Sequence, residues 1–431
     1  MDEQESAARA ARPGPDRPPG PDRPPRSDRP PRSDRHNRHS LKVLAVLAVC
    51  AVITGGTGLT AMLVRSTRHT GVRSVAASCV APEAAPALGS AAVGSRRLDG
   101  LGFNLLESGT FGSVVPGPRS TLYALQACGT EETELRVLHL SANGDVLAVS
   151  SSFERAALLT SSLAIDDGSL YLGAARLDLS GSPADAPYAL TLYRLSAPGL
   201  EVLGSRSLGR GFGLSLLASD QGHAGSTVVA STGHMLLAVR SGTLTVTTLA
   251  GFGQSIAQHV SADTDAPYAA VSVFEPGSSR VSPGATVELI DTATGRVVSL
   301  ARLAGALQVD SLAFGAGVLF AAVSDGMSTE VKRFGVPALV SPGWATGRTT
   351  GIPATLETMS LDGAAGVVWA TDQTALVCLD ASTGRVLSSA TSSSSSAAVS
   401  GVVASGSGTY AVTSSGIGVL DVPAACGDGA A

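Results

Sequence analysis

Four histidines lie beyond residue 74 of this 431-residue chain, at His139, His223, His234 and His259, and His259 is followed closely by two carboxylates, Asp263 and Asp265. An imidazole beside two carboxylates can ligate a cation or pass a proton. These three are the candidate pocket residues, placed at a loop after a strand. A solvated loop is the simpler account, because the histidines lack the short motif spacing that makes a metal site recognisable. Asp166-Asp167-Gly168 reads as a turn, since the downstream bidentate acid of a calcium loop is missing. There is no G-x-S-x-G elbow and no P-loop, and the glycines from Gly209 to Gly213 follow no strand-to-helix pattern. No residue is assigned to catalysis, to a metal or to a cofactor.

The cysteines carry a different chemistry. Cys50 sits inside an apolar run, which leaves Cys79, Cys128, Cys378 and Cys426, an even set that permits two disulfides. Cys79 and Cys426 flank the large domain. A bridge between them, or from either to Cys128, would clamp its ends together and contribute about 4 to 5 kcal/mol in the chain-entropy model. Cys378, between Val377 and Leu379, is either half of a bridge or a small buried hydrophobe.

The elements that must hold these residues begin with Val43 to Val64, 22 residues without a charge, long enough for one transmembrane helix. Nine arginines and Lys42 precede it, against Arg65, Arg68 and Arg73 after it. This asymmetry predicts a cytoplasmic tail over residues 1–42 and an extracytoplasmic domain, anchored in lipid through 43–64. The tail, PGPDRPPGPDRPPRSDRPPRSDR from Pro13, is too proline-rich for helix or sheet and too poor in aliphatic side chains to order, so it is predicted disordered. From Ser74 onward 17 basic residues face 28 acidic ones, which excludes nucleic acid as a partner. Lys42 and Lys332 are the only lysines, the bias of a G+C-rich bacterial genome.

Beyond a juxtamembrane linker at 65–100, the pattern is all-β. Thr243 to Thr247 and Thr286 to Leu289 alternate polar and apolar, and turn pairs such as Asn143-Gly144 and Asp362-Gly363 punctuate them. Two stretches repeat: Val287 to Ser299 and Ala375 to Ser388 both read strand, Asp-x-x-Thr-Gly-Arg turn, strand. Weaker copies lie at Leu138 to Val149 and Leu192 to Leu203. Each follows an apolar pair of strands, as at Val318 to Val323 and Val367 to Thr371. The units fall at 101–155, 156–209, 210–250, 251–304, 305–346, 347–392 and 393–426, close to the length of one propeller blade. A propeller of about seven blades is predicted over 101–426, closed by a strand borrowed from residues 80–100, with 427–431 as a short tail.

The Asp-x-x-Thr-Gly-Arg-Val hairpins resemble the quinoprotein-type, or PQQ-like, β-propeller repeats. That family includes quinone-dependent dehydrogenases and non-catalytic envelope scaffolds. Its repeats commonly close with a tryptophan packed blade to blade, where this chain has Ser299 and Ser388; Trp344 and Trp369 are its only tryptophans. The resemblance therefore implies the fold and not the cofactor. Asp178 to Pro187 and Glu275 to Gly284, inserts in neighbouring blades, are the candidate binding loops. The expected function is a binding or scaffold module for an envelope protein or glycan; the alternative is an envelope enzyme, a quinone-dependent dehydrogenase or hydrolase, with its site in the channel.

Overall fold

A computed structural model describes residues 103–422 and Cys426, apart from 109, 129–133, 167, 179–185, 220–226, 254, 264–265, 275–284, 340–341, 347–351, 353–355, 373–374, 392–398, 406–407 and 414–415. The tail, the apolar run, the linker, residues 427–431, Cys79, His223 and Asp265 lie outside the described residues. Among the described residues no helix is long and apolar enough to cross a membrane.

The chain opens with β1 (Phe103–Ser108). Blade 1 follows as β2 (Phe111–Pro116), β3 (Leu122–Ala127), β4 (Glu134–Leu140) and β5 (Val146–Val149), with β6 (Phe153–Glu154) also paired to β4. Blade 2 is β7 (Ser162–Asp166), β8 (Ser169–Leu177), β9 (Tyr188–Ser196) and β10 (Val202–Gly211). Blade 3 is β11 (Ser215–Ser219), β12 (Thr227–Ser231), β13 (Met235–Arg240) and β14 (Thr245–Gly251). Blade 4 is β15 (Ile256–Ala262), β16 (Tyr268–Phe274), β17 (Ala285–Asp291) and β18 (Val297–Leu303). Blade 5 is β19 (Gln308–Gly315), β20 (Val318–Ser324), β21 (Thr329–Gly335) and β22 (Pro342–Ala345). Blade 6 is β23 (Thr358–Asp362), β24 (Val367–Thr371), β25 (Ala375–Asp380) and β26 (Val386–Thr391). Blade 7 takes β27 (Val399–Ser405), β28 (Gly408–Thr413) and β29 (Gly416–Leu420), and β1 pairs with β29 as its fourth strand.

Each sheet is antiparallel, and the first strands of successive blades touch in order from β2 to β27, with β27 returning to β2. The result is a closed seven-bladed propeller. Closure differs from the sequence expectation in one respect: the borrowed strand is Phe103–Ser108 rather than a segment of 80–100.

The core is divided among the seams, one apolar cluster between each adjacent pair of blades. This is why the second strand of a blade is apolar throughout instead of alternating: both of its faces are covered. In β24, Val367 and Trp369 face blade 7 while Val368 and Ala370 face blade 5. In β20, Leu319, Ala321 and Val323 face blade 4 while Phe320 and Ala322 face blade 6. Outer strands such as β18 leave every second side chain or more to solvent.

Antiparallel order gives the ring two unlike rims. The turns between first and second and between third and fourth strands form a corner rim. The turns between second and third strands, and the crossings to the next blade, form a loop rim.

Candidate functional site

The repeated hairpins build the corner rim with one hydrogen-bond scheme. Asp291 Oδ1 accepts the N–H groups of Ala293 and Thr294 at 2.8 and 2.9 Å, and Asp380 Oδ1 accepts those of Ser382 and Thr383 at 2.9 and 2.8 Å. Asp suits the position because its short carboxylate reaches the backbone two and three residues ahead. Gly295 and Gly384 close the turns at φ +70° and +74°. At Leu138 to Val149 the same role falls to Ser141, whose Oγ accepts the N–H of Asn143 and of Asp145. The Ser382 hydroxyl, then the Thr383 N–H, hold the Asp380 carboxyl below its usual range.

The corners of blades 2 to 6 then dock on the preceding blade. Gly295 lies against the backbone of Leu249, and Gly384 lies under the Trp344 ring, whose Nε1–H donates to the Ala381 carbonyl at 3.2 Å. Strand register aligns Trp344 with Ser299 and Ser388, each just past a β-bulge. Ser299 Oγ accepts the Leu339 N–H of the next corner at 2.9 Å. Blade 5 therefore keeps the tryptophan clasp implied by the family resemblance, and blade 4 substitutes a hydroxyl. Between blades 2 and 3, Arg194 donates to the Gly242 carbonyl and the Ser241 hydroxyl donates to Asp166. Between blades 1 and 2, Tyr123 and His139 stack at 4.5 Å beneath the Ala197-Pro198 corner. Neither ring nitrogen of His139 has a hydrogen-bond partner among the described residues. Burial pushes His139 down, against the pull of the nearby Pro198 carbonyl, which does not reach good hydrogen-bond geometry.

Of the candidate pocket residues, His259 and Asp263 are described and hydrogen-bond to different partners, while Asp265 lies outside the described residues. His259 lies within β15, one of the strands around the axis, and its N–H donates to Ser272 Oγ at 2.9 Å. The residue keeps some accessible surface, yet protein surrounds the imidazole, and burial pushes it down to about 4. Asp263 lies just beyond the strand end, fully buried, and its Oδ2 accepts the Gly317 N–H of the next blade at 3.1 Å. No ion pair joins the two, and no cluster of metal-ligating side chains occurs among the described residues. Asp263 therefore serves as an interblade latch. Similar latches at strand ends are Asp166 on Ser241 and Asp362, whose Oδ2 accepts from the Thr409 hydroxyl at 2.6 Å. Asp263→Ala is expected to lower stability by about 1 to 3 kcal/mol, and Asp263→Asn, which still accepts a hydrogen bond, by less. Urea denaturation of both variants checks this.

Sequence inspection gave no sign of Asp310. It is 6 % exposed on β19, with Oδ1 accepting from Gln308 Nε2 at 2.7 Å and Oδ2 from the Thr329 hydroxyl at 3.1 Å. Burial raises its pKa, partly offset by these bonds and by the Leu356 backbone. A cavity of ≈ 20 Å³ lined by Gly305, Asp325, Glu330 and Lys332 has room for water and is far too small for a substrate.

Both candidate binding inserts leave the loop rim, between β8 and β9 and between β16 and β17. They belong to blades 2 and 4, with one blade between them rather than adjacent. Arg210 braces the base of the first: Nη1 and Nη2 donate to Asp178 Oδ2 and its carbonyl at 2.8 and 2.9 Å, and Nε donates to the Ala186 carbonyl at 3.1 Å. A guanidinium is suited to this because its fork of donors is rigid.

The cysteine pairing corrects the expected clamp. Cys426 bonds Cys378, so the bridges from Cys426 to Cys79 or Cys128 are not formed. Cys378, in the middle of β25, is half of a bridge and not a lone apolar residue. Cys128 is also disulfide-bonded.

No protein-family model matches this chain, and no curated protein does. Among solved structures, the crystal structure of BamB from Moraxella catarrhalis is similar, with 15% sequence identity, 74% of this chain and 85% of that chain covered, and a TM-score of 0.44. Similarity at that level carries no assignment of site residues.

Proposed function

We propose that this chain is a single-pass membrane protein whose propeller lies outside the cytoplasmic membrane and acts as a binding or scaffold module, offering its loop rim to a protein or glycan of the cell envelope. The observation that carries this reading is the division between the rims. The corner rim is occupied by tight, docked turns, whereas two Pro, Ser and Gly-rich inserts share the loop rim and one is braced at its base by Arg210. Rigid sheets holding variable loops are the usual construction of a recognition surface. Asp263 is engaged by Gly317 of the next blade, which favours a structural role for it over a catalytic one. The membrane location rests on the uncharged run 43–64 and the arginines before it. A buried disulfide, Cys378 to Cys426, accords with an oxidising compartment.

The test is photo-crosslinking of the full chain in its native membranes, with the probe placed at Ser182 or Ser279 on the loop rim, or at Asn143 on the corner rim. A defined adduct from the first two positions and none from the third is expected. Equal labelling from both rims, or none from either, contradicts the reading.

A further inference from the structure

We propose that the propeller is a redox-closed ring, in which the Cys378–Cys426 bond performs at the seam of blades 6 and 7 what a docked corner performs at the seams of blades 1 to 6, so that its reduction opens blade 7. Blade 7 is the one blade whose third and fourth strands are not joined by a turn. β29 ends at Leu420, and its outer neighbour β1 comes from the opposite end of the chain. Among the described residues beyond β29 no hairpin corner sets on blade 6. Instead the chain reaches Cys426, 1 % exposed, which bonds Cys378, 0 % exposed, on β25 of blade 6. Both sulfurs lie in the apolar cluster of that seam with Val399, Val402 and Leu420. The covalent bond thus stands where Arg194, Ser299 and Trp344 hold the earlier seams through hydrogen bonds.

A second observation bears on the other strand of the closure. Cys128 is disulfide-bonded, and with Cys378 and Cys426 paired to each other the remaining cysteines are Cys50 and Cys79, both ahead of β1. The stretch after β29 is therefore tied to blade 6, and blade 1 carries a second disulfide at Cys128. Once the Cys378–Cys426 bond is cut, blade 7 is held only non-covalently, by the Asp362–Thr409 latch, its apolar seams and the pairing of β1 with β29.

The chemistry is thiol–disulfide exchange. A thiolate of a dithiol reductant attacks one sulfur of the Cys378–Cys426 bond, the other sulfur leaves and takes a proton, and the second thiol of the reductant resolves the mixed disulfide. Two protein thiols and one oxidised reductant result. The reverse reaction requires a disulfide-bearing oxidant of the same class. Burial of both sulfurs shields the bond in the closed ring, so exchange is slow until the blade frays.

Trp369 supplies a local reporter. It lies opposite Cys378 in the β24–β25 ladder, 1 % exposed, and is one of two tryptophans in the chain. A neighbouring disulfide quenches an excited indole by accepting an electron, and two thiols quench it less. The experiment uses the full chain in mild detergent, carrying Trp344→Phe, titrated with a phosphine reductant. Alkylation mass, fluorescence and amide exchange are followed together. On reduction, Trp369 emission is expected to rise and exchange in β28 and β29 to accelerate at least tenfold, while β12 and β16 keep their protection. Complete alkylation of Cys378 and Cys426 with unchanged exchange in β28 and β29 overturns the proposal, as does uniform loss of protection in all blades. The doubly substituted chain, Cys378→Ser with Cys426→Ser, should show the open pattern without reductant. If that variant fails to fold, the titration of the cysteine-containing chain still decides. The outcome is independent of whether the loop rim binds a partner.

Discussion

Gly384→Ala is expected to destabilise the protein by about 2 to 5 kcal/mol, far more than a surface-turn alanine ordinarily does. Two costs coincide at this position. The residue has φ +74°, where a Cβ meets the following carbonyl and costs about 1 to 2 kcal/mol. The same Cβ would penetrate the Trp344 ring of blade 5 at Cε3 and Cζ3. Displacing a docked ring costs about 1 to 3 kcal/mol more, the usual range for overpacking. Gly366 separates the terms, because it has φ +64° and open space around its Cβ. Gly366→Ala should cost only the backbone share, about 1 to 2 kcal/mol. In a double-mutant cycle, Trp344→Ala should recover most of the excess, since no ring remains to collide. Urea midpoints of the five proteins check the scheme, and equal losses at Gly384 and Gly366 would contradict a docked corner.

Acidification from neutral pH is the second large effect, and it runs through His259. Its imidazole lies at about 4 in the folded chain against an ordinary value near 6.5. A depressed histidine binds fewer protons folded than unfolded. Its stabilising contribution is complete above the ordinary value and is lost as pH falls from about 6.5 towards 4, amounting to at most about 3 kcal/mol. The accessible surface the residue retains trims this figure. His139, also depressed by burial, acts in the same direction. Asp310 and Glu288 act oppositely, because burial raises both carboxyls and the folded state takes up their protons first. They offset part of the loss as pH falls through the window above ordinary carboxylate values. Asp380, held low by Ser382 and Thr383, adds a loss only below the ordinary aspartate value. His259→Gln should therefore flatten the stability profile between pH 6.5 and 4.5 relative to the parent chain. Parallel profiles would remove His259 as the cause.

Much of this architecture can be read from local chemistry. An Asp that reaches its own backbone and a Gly at positive φ mark Asp291 to Arg296 and Asp380 to Arg385 as corners, and the apolar runs at β20 and β24 announce strands covered on both faces. The blades follow from the spacing. What cannot be read is whatever depends on a partner distant in the chain. β1 pairs with β29 more than 300 residues away, and nothing within FNLLES distinguishes a closing strand from a linker. Cys378 sits among valine and leucine whether it is bonded or free, so its pairing with Cys426 has no local signature. Asp263 illustrates the reverse error. Four residues along a strand from His259 is about 13 Å, so proximity in sequence here means separation in space. Its true partner, Gly317, belongs to the next blade. Trp344 was within reach: counting from the bulge aligns it with Ser299 and Ser388, although its turn lacks the Asp-x-x-Thr-Gly-Arg motif that makes the alignment visible.

The most direct measurement on the account as a whole is the side of the membrane on which the ring lies. A reporter enzyme that matures only outside the cytoplasm, fused after Ala431, is predicted to be active and to sediment with membranes in alkaline carbonate, and deleting residues 43–64 should abolish both. A reporter active only in its cytoplasmic form, or a full-length chain released by carbonate, would contradict an anchored extracytoplasmic propeller.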